Sequence, residues 1–270
     1  MRVQFDRFPG GRTKALTLSY DDGVTHDRRL VDILNQYGVR GTFHLNSGSF
    51  GNPGYITREE VKALYTGHEV SAHSVTHPFL ELIPKERIVM EIMEDRRSLE
   101  QIVGYPVRGM SYPFGTYNQS VVDTLPALGI RYARTVNSHG TFAIPENPLL
   151  WNPTCHHKTM QQHVEAFLNP AEKQWAVRME LFYVWGHSYE FENDNNWEDI
   201  EIFCRSISGN DMIWYATNME IIDYLDALKQ LQFSVDESLV RNPSAQPVWV
   251  SVDGQAVKIE GGDIRILATN

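Results

Sequence analysis

Four short stretches carry side chains whose types and spacing could do chemistry. The first, Thr17-Leu-Ser-Tyr-Asp-Asp-Gly-Val-Thr-His26, runs an apolar strand into two adjacent carboxylates and a glycine. Neighbouring side chains leaving a strand diverge, so Asp21 and Asp22 can take different tasks, one holding a cation and the other handling a proton. Gly23 then lets the backbone turn sharply. By itself Asp-Asp-Gly is an ordinary turn, and the rest of the chain must decide. The second stretch, His73-Ser-Val-Thr-His77, spaces two imidazoles so that they can converge on one point, though a solvated turn would look the same. In the third, Ser111-Tyr-Pro-Phe-Gly115, Pro113 and Gly115 fix a turn that can aim a backbone amide near Phe114 at a developing oxyanion. Tyr112 and Phe114 there offer flat apolar surface to a sugar ring. The fourth is His187 in Val184-Trp-Gly-His-Ser188, following an apolar run and fit to act as a general acid. One carboxylate of the first pair with two imidazoles of the second gives three ligands and leaves a position for water, the pattern of a catalytic zinc-type site.

All four stretches fall just past predicted strands. Strands are expected at 15–20, 39–45, 69–72, 107–112, 130–136, 179–185 and 212–216, with a weaker, proline-broken one near 142–151. Helices are expected between them. Residues 27–37 carry Leu30, Ile33 and Leu34 at helical spacing, and Thr57 to Glu60 reads as a capping box opening a helix that ends at Gly67. A long amphipathic helix follows Pro84, and others are expected at 117–128, 160–167, 171–176 and 198–207. A second capping box, Thr217 to Glu220, leads a helix to residue 230. Alternation sustained over seven or so units predicts parallel strands with crossover helices, closed or nearly closed into a barrel. Parallel barrels place their active sites where these four stretches fall. From about Phe233 the texture changes to short β segments, including Val248-Trp-Val-Ser-Val252 and an Asp253-Gly254 turn. The expected division is a barrel over 1–232 and a small β appendage over 233–270.

At 270 residues, 42% hydrophobic and 21% charged, the chain has the composition of an ordinary globular protein. A net charge of −10 argues against nucleic acid and anionic membrane surfaces as partners and favours a neutral substrate. Two cysteines, Cys155 and Cys204, are too few for a disulfide framework and read as free thiols. No signal-like or membrane-spanning run stands out, so a cytoplasmic protein is expected. Nothing sets the oligomeric state; a homo-oligomer stays open.

The order and spacing of these stretches, over about residues 15–231, resemble the polysaccharide deacetylase family, carbohydrate esterase family 4 with its NodB-homology domain. Ser19-Tyr-Asp-Asp-Gly23 is similar to that family's first motif and His73-Ser-Val-Thr-His77 to its second. The resemblance implies a distorted (β/α) barrel of seven or eight units that hydrolyses acetamide or acetyl ester groups on an oligosaccharide or sugar conjugate. It implies Asp22, His73 and His77 as metal ligands, Asp21 as general base and His187 as the acid that protonates the leaving amine. It further implies one divalent cation, zinc first, with cobalt, nickel and manganese as alternatives.

The chain also departs from the family. Its third motif commonly reads Arg-Pro-Pro-Tyr-Gly, so Ser111 stands where an arginine usually holds the base and Phe114 where a tyrosine stands. Arg108 or another cation would have to serve instead. The family's Asp-Trp motif has no clear counterpart. Trp151 could fill the aromatic role, but no carboxylate is evident to orient His187. Trp185 replaces a leucine two residues before the acid and would reshape the acetyl pocket. Cys155, His156 and His157 read as a groove or structural loop, because adjacent histidines do not easily point at one ion. Tyr183, Trp197 and Trp214 read as mostly core. Two rivals remain: a hydrolase of a small amide or cyclic imide on the same scaffold, and a non-catalytic sugar-binding protein. Retention of Asp21 and His187 speaks against the second, since binding needs neither base nor acid.

Overall fold

A computed structural model describes residues 1–169 and 178–267. Eight strands form one sheet: β1 (Lys14–Asp22), β2 (Gly41–Leu45), β3 (Glu69–Ala72), β4 (Gly109–Ser111), β5 (Tyr132–Arg134), β6 (Cys155–His156), β7 (Glu180–Gly186) and β8 (Ile213–Tyr215). Their order is β5-β4-β3-β2-β1-β7-β6, with β8 on β1, and every pairing is parallel. β1 is the axis. One edge lies along β7 from residue 14 to 20; the other meets β8 at 14–16 and β2 at 18–22. The sheet curls into a half-open barrel. Across the gap Trp151 bridges Arg134, its N–H bonding the Ala133 carbonyl while the Thr135 N–H bonds its own carbonyl. The segment 151–156 thus runs from β5 to β7, and the expected distorted (β/α) barrel is the observed fold.

The two-residue period of β1 sorts its side chains. Leu16, Leu18 and Tyr20 pack into the apolar layer beneath the helices. Thr17, Ser19 and Asp21 face a polar interior, where the Thr17 hydroxyl donates to Asn218 (2.8 Å) and Tyr183 to Ser19 (3.1 Å). Deeper in the same interior, Glu69 accepts from Thr42 (3.0 Å), Tyr132 (2.8 Å) and the Met219 N–H (2.8 Å).

The helices are α1 (Asp27–Gln36), α2 (Val61–Leu64), α3 (Lys85–Val103), α4 (Gln119–Thr124), α5 (Gln161–Leu168), α6 (Ser188–Asn193), α7 (Trp197–Ile207) and α8 (Asn218–Lys229). The capping box at Thr217 forms as expected, its hydroxyl accepting from the Glu220 N–H while Glu220 accepts from the Thr217 N–H. The one predicted at Thr57 forms only in part: Glu60 accepts from the Thr57 hydroxyl at 3.4 Å, but the helix starts at Val61. Arg28 takes both oxygens of Glu60 at 3.0 Å, and α2 is a single turn. No strand forms over 142–151; a short 3-10 turn occupies Pro148–Leu150, in keeping with prolines that cannot donate to a ladder. α6, directly after His187, was not expected. The predicted helix at 171–176 lies outside the described residues.

The carboxyl-terminal segment forms two antiparallel three-stranded sheets. Gln232–Phe233, Leu239–Arg241 and Ile264–Ile266 make one; Val248–Val252 and Gln255–Ile259 make the other, completed by Val3–Gln4 from the amino terminus. Val240, Val248, Val250 and Ile259 share one apolar cluster with Phe8 and with Ile221, Tyr224 and Leu225 of α8. Among the described residues no helix is long and apolar enough to cross a membrane. Both cysteines are free and buried.

Candidate active site

The last residue of β1 and the loops that follow β3 and β4 carry backbone that side chains rarely adopt. Asp22 (φ 81°), Ser74 (φ 68°), His77 (φ 54°) and Phe114 (φ 57°) are all left-handed, four of the seven such non-glycine residues among those described. Local strain of this kind persists only where surroundings fix it. In the turn after β3, α3 does the fixing. Asp95 accepts from the N–H groups of His73 (2.9 Å) and Ser47 (2.8 Å), and Glu91 accepts from the Thr76 N–H (2.8 Å) and hydroxyl (2.7 Å). Asn46 donates to the carbonyls of His73 (2.6 Å) and Ser74 (3.0 Å) from the other side.

The result is a convergence of donors. His73 Nδ1 donates to the Ser111 carbonyl at 2.9 Å, which sets its tautomer and leaves the Nε2 lone pair outward. That Nε2 lies 3.1 Å from His77 Nε2 and 3.6 Å from Asp22 Oδ1, and His77 Nε2 lies 3.8 Å from the same oxygen. Ligands at about 2.0–2.1 Å around a tetrahedral ion sit roughly 3.3 Å apart, so the three atoms fit one small divalent cation. Phe114 packs edge-on against the His77 ring (4.4 Å) and stacks on Phe79 (3.9 Å), holding the second imidazole in place.

Asp21, one residue earlier, points into the barrel interior. Arg134 contacts its Oδ2 and Ser111 donates to its Oδ1 at 3.1 Å. Both members of the Asp21–Arg134 pair are buried. Burial alone would raise the Asp21 pKa, but Arg134 first and His73 next outweigh it and hold the carboxyl well below the usual carboxylate range. Arg108, the cation considered from sequence, does not reach Asp21: it pairs with Asp223 (2.8 Å). Arg134 was missed because it looked like one more residue of a strand. A lone arginine in Tyr132-Ala-Arg-Thr-Val136 was the available signal, since buried guanidinium groups need a partner.

His187 does have a carboxylate. Glu190, three residues on in the first turn of α6, accepts from the His187 N–H and Nδ1, both at 3.1 Å, leaving Nε2 as the ring atom open to a ligand. Burial works against charge on His187, but the bond to Glu190 and the charges of Asp21 and Asp22 prevail, and its pKa is raised. Glu190 also meets His156 Nε2 at 3.1 Å and lies 3.6 Å from His157 Nε2. The adjacent histidines therefore do face one point, contrary to expectation, because His156 ends β6 and His157 opens the following turn. Two clusters of donors are thus positioned to chelate a metal: Asp22, His73 and His77, and His156, His157 and Glu190.

Asp21, Asp22, His73, His77 and His187 open onto one cavity of about 530 Å³. Tyr112, Phe114, Gly115 and Trp185 form its apolar walls together with Val136 and Tyr189, which sequence reasoning had not singled out. Gly115 is required there, since a Cβ would lie 2.3 Å from Val136. The Arg134 guanidinium lies 4.5 Å from the Trp185 ring centre, tying the cavity wall to the Asp21 pair. Trp151, expected to meet substrate, does not line the cavity. It is 1% exposed and packs edge-on against Tyr132 and Tyr183, because its backbone is the stitch that joins the segment to β5.

A curled parallel barrel with metal-chelating donors just past its strand ends defines the class of this molecule. Residues 9–133, somewhat under half of the chain, match the family model described as polysaccharide deacetylase. A peptidoglycan-N-acetylglucosamine deacetylase of Listeria monocytogenes is 29% identical over 127 residues, 46% of this chain and 26% of that protein. The aligned stretch thus spans about a quarter of that relative. Among solved structures, one described as a polysaccharide deacetylase from Mycobacterium smegmatis superposes with a TM-score of 0.62 at 17% identity, covering 82% of this chain and 93% of that one. The Xyl-CE4 domain of a multidomain xylanase from the hindgut metagenome of Trinervitermes trinervoides gives 0.55 at 18% identity, covering 90% and 100%. These two likenesses concern the fold.

Proposed function

We propose that the chain is a divalent-metal-dependent hydrolase that removes acetyl groups from a carbohydrate, N-acetyl groups first and O-acetyl groups second. The observation that carries the reading is the grouping, on one cavity, of the Asp22–His73–His77 cluster with Asp21 and His187. The family match over residues 9–133 and the named activity of the Listeria relative support an N-acetylated sugar as substrate. An ion bound by Asp22, His73 and His77 would polarise a carbonyl and acidify a water; two imidazoles with one carboxylate suit zinc first, and cobalt, nickel or manganese next.

The chain's own residues supply the rest. Arg134 keeps Asp21 ionised and immobile, so its carboxylate is ready to take a proton from an attacking water. His187, its Nδ1 bonded to Glu190, offers Nε2 as the proton donor to the leaving nitrogen or oxygen. The backbone N–H of Phe114, in the turn that lines the cavity, would be the donor for the developing oxyanion. Tyr112 and Trp185 enclose the acetyl group and keep water from the reacting carbonyl.

The test is acetate release from acetylated chito-oligosaccharides, xylan fragments and small amides by metal-stripped protein, with and without zinc or cobalt, beside Asp21→Asn. Release from a sugar that needs added metal and is lost in the variant is expected. Turnover of small amides alone would move the protein to the amide-hydrolase reading. No turnover of any substrate would leave a binding protein.

A further inference from the structure

Two histidines that this mechanism does not use, His156 and His157, lie behind His187 beside its partner Glu190. His157 is 3% exposed, and its ring stacks on Phe191 (4.2 Å, 26° between planes) and on Tyr20 (5.8 Å, 28°). Neither ring nitrogen has a hydrogen-bond partner. A buried imidazole costs free energy when its nitrogens go unsatisfied, and such groups normally find a donor, an acceptor or a ligand. The backbone has also made room for this ring, because a Cβ on Gly186 would lie 2.2 Å from its Nδ1. Nε2 faces Glu190 Oε2 across 3.6 Å, too long for a hydrogen bond and right for two ligands of one ion. His156 Nε2 stands 3.1 Å from the same oxygen, and the three ligand atoms all lie within 4.8 Å of one another.

The geometry points to a second divalent-cation site, formed by His156 Nε2, His157 Nε2 and the Glu190 carboxylate and separate from the Asp22–His73–His77 cluster. Two imidazoles and one carboxylate select a first-row transition ion such as zinc or cobalt over magnesium or calcium, which prefer oxygen ligands throughout. His156 and Glu190 are half-buried, so an ion can enter from solvent. Loading needs a local rearrangement at His156. Its Nδ1 accepts from the Lys158 N–H at 3.3 Å and its Nε2 proton faces Glu190, so the proton must move to Nδ1 and the bond from Lys158 must be given up. Lys158 approaches the other Glu190 oxygen at 3.5 Å but is held more closely by Asp194, at 2.7 Å. The carboxylate that would close this site also receives the His187 Nδ1 proton, so the second ion would be joined to His187 through a single residue.

The test counts metal on the full chain. Metal-stripped wild type, His156→Ala and Asp22→Asn are dialysed against zinc or cobalt with excess magnesium, and bound metal is measured by mass spectrometry. Two equivalents in the wild type and one in each variant is the expected result. One equivalent in the wild type, kept by His156→Ala and lost by Asp22→Asn, overturns the second site and leaves the proposed catalytic one standing. One equivalent kept by Asp22→Asn and lost by His156→Ala supports the second site and sinks the metal role of Asp22. No bound metal in any of the three overturns both. His156 is only partly buried, so its removal should not unfold the chain, and Glu190→Gln, which keeps the side-chain volume, gives an independent loss of the same equivalent.

Discussion

Replacing Arg134 by methionine tests whether the buried pair with Asp21 is what permits a carboxylate inside the barrel. Methionine retains much of the arginine stem and its packing, so the change is mainly one of charge. Two unit charges about 4 Å apart at an effective dielectric near 20 attract by roughly 4 kcal/mol, and removing one partner of a buried pair typically costs about 3–5 kcal/mol. Asp21 would keep only the 3.1 Å bond from Ser111 and the nearby His73. Arg134→Met should therefore lose about 3–5 kcal/mol in urea unfolding at pH 7, read from the midpoint at unchanged slope. Asp21→Asn should cost a similar amount, because it strands the guanidinium. The double variant should cost far less than the sum, with a coupling of at least about 2 kcal/mol, since no uncompensated charge remains. A single-variant loss below about 1 kcal/mol, or additive losses, would refute the claim that this pair governs the site.

Glu190→Gln keeps an acceptor for His187 but removes its charge; kcat for acetate release should fall at least about tenfold with KM little changed, and an unaltered kcat would remove Glu190 from the mechanism. Trp151→Ala should destabilise the fold by about 3–5 kcal/mol as a core truncation while leaving substrate affinity nearly intact; a selective rise in KM would return this residue to the substrate wall. Glu69 has its pKa pushed up to about 7 by burial, against the bonds from Met219, Tyr132 and Thr42. The unfolded chain releases this proton near the ordinary value and the folded one only near pH 7. The stability it contributes is thus complete at low pH and falls, by up to about 3 kcal/mol, as pH rises through that window. Unfolding free energies between pH 5 and 7.5 should fall less steeply in Glu69→Gln, and an unchanged slope would show that Glu69 is already ionised.

Much of the barrel was legible because its elements obey local rules. Apolar runs bounded by glycine, the stripe of Ile88, Ile92 and Leu99, and the box at Thr217 all say what they do without reference to the rest of the chain. What was not legible depends on partners distant in sequence. Glu60 looked like a cap until Arg28 took it. Trp151 looked like the aromatic of the family's Asp-Trp motif until the seam between β5 and β7 buried it. The polar barrel interior was likewise hidden, since Thr17, Ser19 and Glu69 in isolation are unremarkable strand residues. Asp95 was readable in principle, as a carboxylate set into the apolar stripe of α3.

Two of the departures from the family pattern, the missing arginine and the missing carboxylate for His187, have one physical explanation. Asp21 must be compensated because it is buried, but nothing fixes where in the chain the cation arises. Ser111 and Arg134 are register partners across β4 and β5, so the guanidinium reaches the aspartate from the strand next to the one where the family carries its arginine. The vacated position is used as well: the Ser111 carbonyl sets the His73 tautomer and its hydroxyl donates to Asp21. At His187 the carboxylate arrives from three residues on, because α6 starts immediately after β7 and its first turn folds Glu190 back under the ring. In both cases the charge is required by burial and its place by hydrogen-bond geometry, while the sequence position that supplies it is free to move. A motif scan sees the empty position; only the register of neighbouring strands and the first turn of a helix reveal the side chain that fills its role.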